Sequence, residues 1–168
     1  MEDTDFVSLF GNDTPICYQS IVQHNIDWNT IIENFEASSR GGCPPYTNRY
    51  EGDIAWVDHY SFWKHSSNDI PIIDDIAQQL QQHFTDYKVT TESFLSFCSL
   101  GQSIGKHSDS FNAIYLQLLG STKWTFYGKC DDIYTMNEGD ILYVPEDVPH
   151  HIDVLAPRYS VSFALERK

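Results

Sequence analysis

Basic residues are scarce in this chain. Ten Lys and Arg stand against 24 Asp and Glu in 168 residues, giving a formal charge of -14 and a pI near 4.6. A protein that grips duplex nucleic acid through its phosphates carries the opposite balance, so nucleic acid is disfavoured as a partner. No C-x-x-C pair occurs among Cys17, Cys43, Cys98 and Cys130, so their spacing cannot build a structural zinc site. They read as reduced thiols of a cytoplasmic protein. No run of eighteen apolar residues is present, and no membrane-spanning helix is expected. The start, MEDTDFVSLFGNDTP, has neither a basic stretch nor an apolar one, so no secretion signal is expected. No repeat with a period of 20–50 residues is visible.

What the chain has is enough apolar matter for a core. Hydrophobic residues make up 41% and aromatics 14%, with ten Tyr and ten Phe, which excludes a disordered or low-complexity protein. A single domain over 1–168 is expected, with 1–86 as a mixed helical and loop flank and 87–168 as a β core. Asp27 precedes Trp28, Ile31, Ile32 and Phe35, the spacing of one apolar helix stripe behind an N-cap, and predicts a helix over about 28–38. The segment 38–46 (SSRGGCPPY) is a breaker cluster and reads as loop. A second helix is predicted over about 70–85, with Pro71 in its first turn. Ile72, Ile73, Ile76, Leu80 and Phe84 form its stripe, and Gln78, Gln79, Gln81 and Gln82 are expected to face water.

From Tyr87 onward short apolar or alternating runs follow one another between Gly, Asn and Asp turns. Strands are predicted near 91–99, 103–107, 111–119, 122–128, 132–135, 140–144 and 158–165. Many short strands at this spacing indicate a mainly β barrel or sandwich rather than βαβ units.

Among the seven histidines, His107 has Asp109 two residues later. In an extended chain both side chains point to one face and can converge on one point. Composition alone yields about one such pair, because one residue in seven is acidic (24 of 168) and there are seven His; the chain has two, the other being His151-Ile152-Asp153. Beyond Asp109, residues 113, 115 and 117 continue the same face if no bulge intervenes, adding Tyr115 and Gln117, with Ile114, Leu116 and Leu118 behind. Two readings stand at this point: a wet outer face, or a polar interior wall. A His–Asp pair joined by a distant His makes the two-His-one-carboxylate set, which leaves Fe(II) open positions for a bidentate cosubstrate and O2. The stretch 139–153 (GDILYVPEDVPHHID) opens on a turn, continues as a buried strand, and reaches His150 and His151 through a loop stiffened by Pro145 and Pro149. A His in such a place serves as a cap or surface residue or as a ligand.

Taken together and in this order, HSD, QLLGSTKWTFY and GDILYVPEDVPHHIDV resemble the Jumonji C and related cupin-type Fe(II)/2-oxoglutarate dioxygenases, most closely the single-domain protein hydroxylases. The likeness covers about residues 103–165. It implies a double-stranded β-helix, an antiparallel barrel closing on a metal centre, with the N-terminal helices flanking it. It implies His107, Asp109 and His150 as iron ligands and catalytic residues, with His151 as a neighbour. It implies Fe(II) as cofactor and 2-oxoglutarate as cosubstrate. One departure concerns the cosubstrate anchor. The family's usual Lys after the glycine turn is replaced by Thr122, with Lys123 next and facing the other way in a regular strand.

An anionic tail in a low-dielectric barrel needs a cation or several donors. Arg158 with Ser160 resembles the R-x-S element of other 2-oxoglutarate oxygenases and is the first candidate. Ser162 shares their face, and Lys123 and Lys106 are weaker substitutes. Tyr115 and Trp124 are expected as pocket walls. His59 and His65 are candidates for a substrate mouth or plain surface positions. The function so implied is a hydroxylase acting on a small molecule or a protein or peptide side chain, with a homodimer as a further possibility. Two other classes stay open: a cupin metalloenzyme that does not use 2-oxoglutarate, against which the chain lacks an H-x-H run, and a non-catalytic barrel, which Thr122 favours.

Overall fold

The computed structural model describes residues 12–39, 54–58, 61–65, 70–96, 105–128 and 131–168. Its elements are β1 (Ile16–Tyr18), α1 (Trp28–Ser39), β2 (Ile54–Asp58), β3 (Ser61–His65), α2 (Pro71–His83), β4 (Tyr87–Ser96), β5 (Asn112–Leu119), β6 (Thr122–Phe126), β7 (Ile133–Met136), β8 (Ile141–Val144), β9 (His150–Val154) and β10 (Arg158–Arg167). Both helices form where their caps and stripes predict. The Asp27 carboxylate accepts the backbone N–H and hydroxyl of Thr30, each at 2.9 Å, which caps α1 and holds the carboxyl below its usual pKa. Ile31 is fully buried beneath α1, but Ile32, assigned to the same stripe, is 42% exposed. Pro71 begins α2, Ile73, Ile76 and Leu80 are buried, and Phe84 leaves helical geometry while its N–H still reaches the Leu80 carbonyl at 2.8 Å.

Two antiparallel sheets face each other. The large one runs β1-β8-β5-β10-β4-β3-β2 and the small one β7-β6-β9, where a short antiparallel bridge between His107 and His150 adds a further pairing beside β9. From β5 the chain crosses to the small sheet for β6 and β7, returns for β8, crosses again for β9 and returns for β10, the winding of a double-stranded β-helix. The mainly β class expected from the sequence is therefore the class observed. The strand list differs in detail: of the strand predicted over 103–107, residues 103–104 lie outside the described residues and the rest shows only the isolated bridge at His107, and other strands were not foreseen. β1, β2 and β3 lie in the stretch read as helix and loop, and β9 was read as part of a loop. β2 and β3 pair locally with each other, and β3 extends the large sheet past β4, a long-range pairing that no local pattern encodes.

Alternation along β5 and β10 divides the core in two. Ile114, Leu116, Leu118, Val161, Phe163 and Leu165 pack outward with the buried residues of α1 and α2. Ala113, Tyr115, Leu142 and Val144 of the large sheet face Trp124, Phe126 and Ile152 of the small one. The polar residues of β5 and β10 thus line the space between the sheets. Gly120 makes the turn from β5 into β6 with φ +72°. A side chain there would drive its first carbon to 1.8 Å from the Pro157 carbonyl oxygen, so only glycine fits.

Candidate metal centre

His107 and His150 exchange two backbone hydrogen bonds, 3.0 Å and 2.8 Å, that pin together stretches 43 residues apart in sequence (150 less 107). Asp109 is fixed next to them, its carbonyl accepting the Asp147 N–H at 2.7 Å. Asp147 sits at φ +60°, a left-handed conformation that Asp tolerates, and this turns the loop back towards β5. The side chains then converge. One potential ligand atom from each of His107, Asp109 and His150 lies within 4.8 Å of the others. Nε2 of His107 is 3.9 Å from Asp109 Oδ1, and Nε2 of His150 is 3.9 Å from Asp109 Oδ2. The two imidazole rings are 4.3 Å apart between centroids.

Hydrogen bonding orients both rings alike. His107 Nδ1 is 2.9 Å from the Gly105 carbonyl and His150 Nδ1 is 3.0 Å from that of Val148. A carbonyl only accepts, so each Nδ1 carries the hydrogen and each Nε2 presents a lone pair. Backbone carbonyls are the partners that set the tautomer of metal-binding histidines. His150 is fully buried and its Nε2 has no hydrogen-bond partner among the described residues. Burial and the adjacent His107 keep its pKa below the ordinary value, against the opposing pull of Val148 and Asp109, so the ring is neutral. A buried, unpartnered imidazole nitrogen is costly unless something takes its lone pair. Two imidazoles and a carboxylate are a ligand set that suits a divalent first-row metal such as Fe(II).

The shell around the cluster is aromatic. Tyr115 donates its hydroxyl to Asp109 Oδ2 at 3.2 Å. Burial, and then the Asp109 charge, raise the Tyr115 pKa far above its usual value, so the phenol stays protonated and serves as a donor. Trp124 lies 4.5 Å from the Tyr115 ring and 5.3 Å from the His150 ring, and Phe126 lies 6.0 Å from Trp124 and 5.9 Å from His150.

The residues expected to anchor a cosubstrate separate into two sets. Arg158 and Ser160 are buried on the interior face, Arg158 donating through Nε to Ser96 Oγ at 3.3 Å and lying over the Phe94 ring. The Ser160 hydroxyl is buried and has no partner among the described residues. Thr122 is interior too, but its hydroxyl is used: it accepts the Trp124 indole N–H at 3.2 Å and donates to Gln117 Oε1 at 3.1 Å. Lys123 stands on the opposite face of β6, paired with Asp153 at 3.1 Å, and Asp153 also bonds His151. The second His–Asp pair of the sequence is therefore a partly exposed hydrogen-bonded pair on the outer face, tied through Asp153 to Lys123. Lys106 is exposed, its ammonium 4.1 Å above the Tyr127 ring. His59 and the side chain of His65 lie outside the described residues. Sequence reading missed Ser96, though the alternation of Glu92, Phe94 and Ser96 along β4 placed it on the interior face once its strand partners were known.

No family model matches the sequence, and no curated protein does. The likeness is in the fold, a double-stranded β-helix. Among solved structures the chain is similar to YcfD, a ribosomal oxygenase of Escherichia coli. One of its X-ray structures superposes with a TM-score of 0.68 over 98% of this chain and 52% of that one, at 17% identity. Another, in complex with cobalt and 2-oxoglutarate, gives a TM-score of 0.69 over 100% of this chain and 52% of that one, at 16% identity. The chain thus spans about half the length of the structures it matches.

Proposed function

We propose that this chain is an Fe(II)- and 2-oxoglutarate-dependent dioxygenase, a hydroxylase whose iron is held by His107, Asp109 and His150. The observation that carries this reading is the unpartnered Nε2 of His150, buried and 3.9 Å from Asp109, in a ring whose other nitrogen is already committed. Bound there with 2-oxoglutarate, the metal would supply O2-driven oxidation of a C–H bond. The chain's own groups do the rest. Tyr115 holds the Asp109 carboxylate by one oxygen, Trp124 and Phe126 keep water from the His150 side, and Arg158 with Ser160 receives the distal carboxylate of 2-oxoglutarate. A guanidinium fork matches a carboxylate, and the buried Ser160 hydroxyl gains the partner it lacks. The neighbouring fold is that of a ribosomal oxygenase, and the charge of -14 favours a basic peptide over nucleic acid as substrate.

The test is succinate release from 2-oxoglutarate with Fe(II) and O2, alongside thermal stabilisation by Mn(II) and by 2-oxoglutarate. Asp109→Ala is expected to abolish both turnover and the metal shift. Arg158→Ala is expected to raise the KM for 2-oxoglutarate at least tenfold with the metal shift intact, since a charge-assisted pair is worth about 1.5–3 kcal/mol. Metal stabilisation without succinate, and without a 2-oxoglutarate shift, would overturn the reading in favour of a barrel that binds metal alone.

A further inference from the structure

A cavity of about 630 Å³ opens away from the His–Asp–His cluster, and none of the three cluster residues lines it. It lies at one end of the large sheet, where the start of β4 (Tyr87), the start of β5 (Asn112) and the end of β10 (Arg167) come together, with the 145–149 loop as a wall. That loop has a second duty. Asp147 donates its N–H to the Asp109 carbonyl, and Pro149 accepts the N–H of Tyr127 and leads directly into His150. The cavity and the candidate metal centre therefore share one loop.

The chemistry of the wall selects a cation. Three carboxylates, Asp13, Glu146 and Asp147, stand against one guanidinium, Arg167. Arg167, hydrogen-bonded to Tyr87 and near the Glu146 charge, offsets one of the three carboxylates and leaves two in excess (three less one). Three tyrosines line the cavity with them. Tyr143 is buried behind the wall, its hydroxyl donating to Asn112 Oδ1 at 2.9 Å. Tyr127 already takes one ammonium on its ring, that of Lys106 at 4.1 Å. Aromatic faces beside carboxylates are the surroundings in which an alkylammonium or guanidinium is held, by cation–π attraction and by charge. A volume of this size accommodates such a group on its aliphatic stem.

We propose that this cavity is a second binding site, for a guanidinium or alkylammonium group, borne either by a basic peptide or by a free amine. A cation seated there lies behind the loop that fixes Asp109 and delivers His150. The site needs no metal and no cosubstrate, so it can be tested apart from the oxygenase reading.

The experiment uses the full chain in EDTA, titrated by calorimetry and amide NMR with agmatine, with the peptide acetyl-Gly-Arg-Gly-amide, and with its citrulline counterpart. Saturable binding of the arginine compounds but not of citrulline is expected, with shifts centred on Tyr127, Asp147 and Arg167. Glu146→Gln and Asp13→Asn are each expected to weaken it about two- to fivefold, as exposed ion pairs do. Binding should fade between about 0.1 and 1 M salt as the screening length falls from about 10 to 3 Å. A peptide that binds more tightly than agmatine identifies a polypeptide partner, and equal affinity identifies a free amine. The proposal is overturned by absence of saturable binding, by equal binding of citrulline, by indifference to both variants, or by shifts centred instead on the barrel interior around Tyr115 and Ser160.

Discussion

Thr122 occupies the position where resembling enzymes carry a lysine, and its hydroxyl is the middle link of a buried chain. Trp124 donates to Thr122, Thr122 to Gln117, and the Gln117 amide to the Leu119 carbonyl at 2.6 Å. The indole held this way is the one packed on His150. Thr122→Val keeps the shape but strands the Trp124 N–H and the Gln117 oxygen. A loss of about 1–3 kcal/mol is expected in urea unfolding, with Thr122→Ser close to the parent. A second residue-scale prediction concerns Cys17. Burial, with the Asp140 charge adding to it, pushes this thiol up to about 11. Only the thiolate reacts, so at pH 8 its alkylation by iodoacetamide should run roughly two hundredfold slower than that of an ordinary thiol, rising steeply above pH 10. Peptide mapping by mass spectrometry follows it individually. Alkylation of Cys17 at an unperturbed rate at pH 8 would contradict the buried placement.

At the scale of elements, the join between α2 and β4 corrects an expectation. Four glutamines were read as the wet face of α2, and Gln78, Gln79 and Gln82 are exposed as that reading requires. Gln81 is half-buried instead. Its Nε2 donates to the carbonyls of Phe84 and Tyr87, and its Oε1 accepts the Val89 N–H at 3.1 Å. The amide therefore satisfies backbone groups on both sides of the turn that feeds β4 into the barrel. Gln81→Leu is expected to cost about 1–2 kcal/mol, and Gln78→Leu, on the exposed face, to change stability by less than about 0.5 kcal/mol. Thermal unfolding of the two variants in parallel measures the difference. Helix periodicity cannot separate the two positions, because both fall outside the apolar stripe and only the path of β4 distinguishes them.

At the scale of the whole molecule, charge is the dominant feature. With 24 acids against ten bases, like-charge repulsion acts on the folded chain throughout its surface. Screening should relieve it, so the melting temperature of the metal-free protein is expected to rise as salt goes from about 0.01 to 0.2 M, where the screening length shortens from about 30 to below 10 Å. A melting temperature that falls over this range would show that favourable surface pairs such as Lys123–Asp153 outweigh the repulsion. Among the described residues no helix is long and apolar enough to cross a membrane.

Periodicity and composition sufficed for what depends on neighbouring residues. The two helices, the strands from β4 to β8 and β10, and the division of β5 and β10 into an aliphatic and a polar face are all set within a few residues of chain, where the alternation of side chains is dictated by backbone geometry. The His107–Asp109 pair was visible for the same reason. Whether that polar face met solvent or a closed interior was a different question, since a polar strand face looks alike in both. It took the small sheet, folded across from residues 122–154, to bury Tyr115, Gln117 and Arg158. Long-range closure likewise separated the two His–Asp pairs. The one at 107 is joined by His150 through backbone bonds that span 43 residues (150 less 107), while the one at 151 is left on the outer face with Lys123. Local spacing specifies which side chains share a face, but the meeting of two faces depends on strand pairings whose partners are remote in the chain.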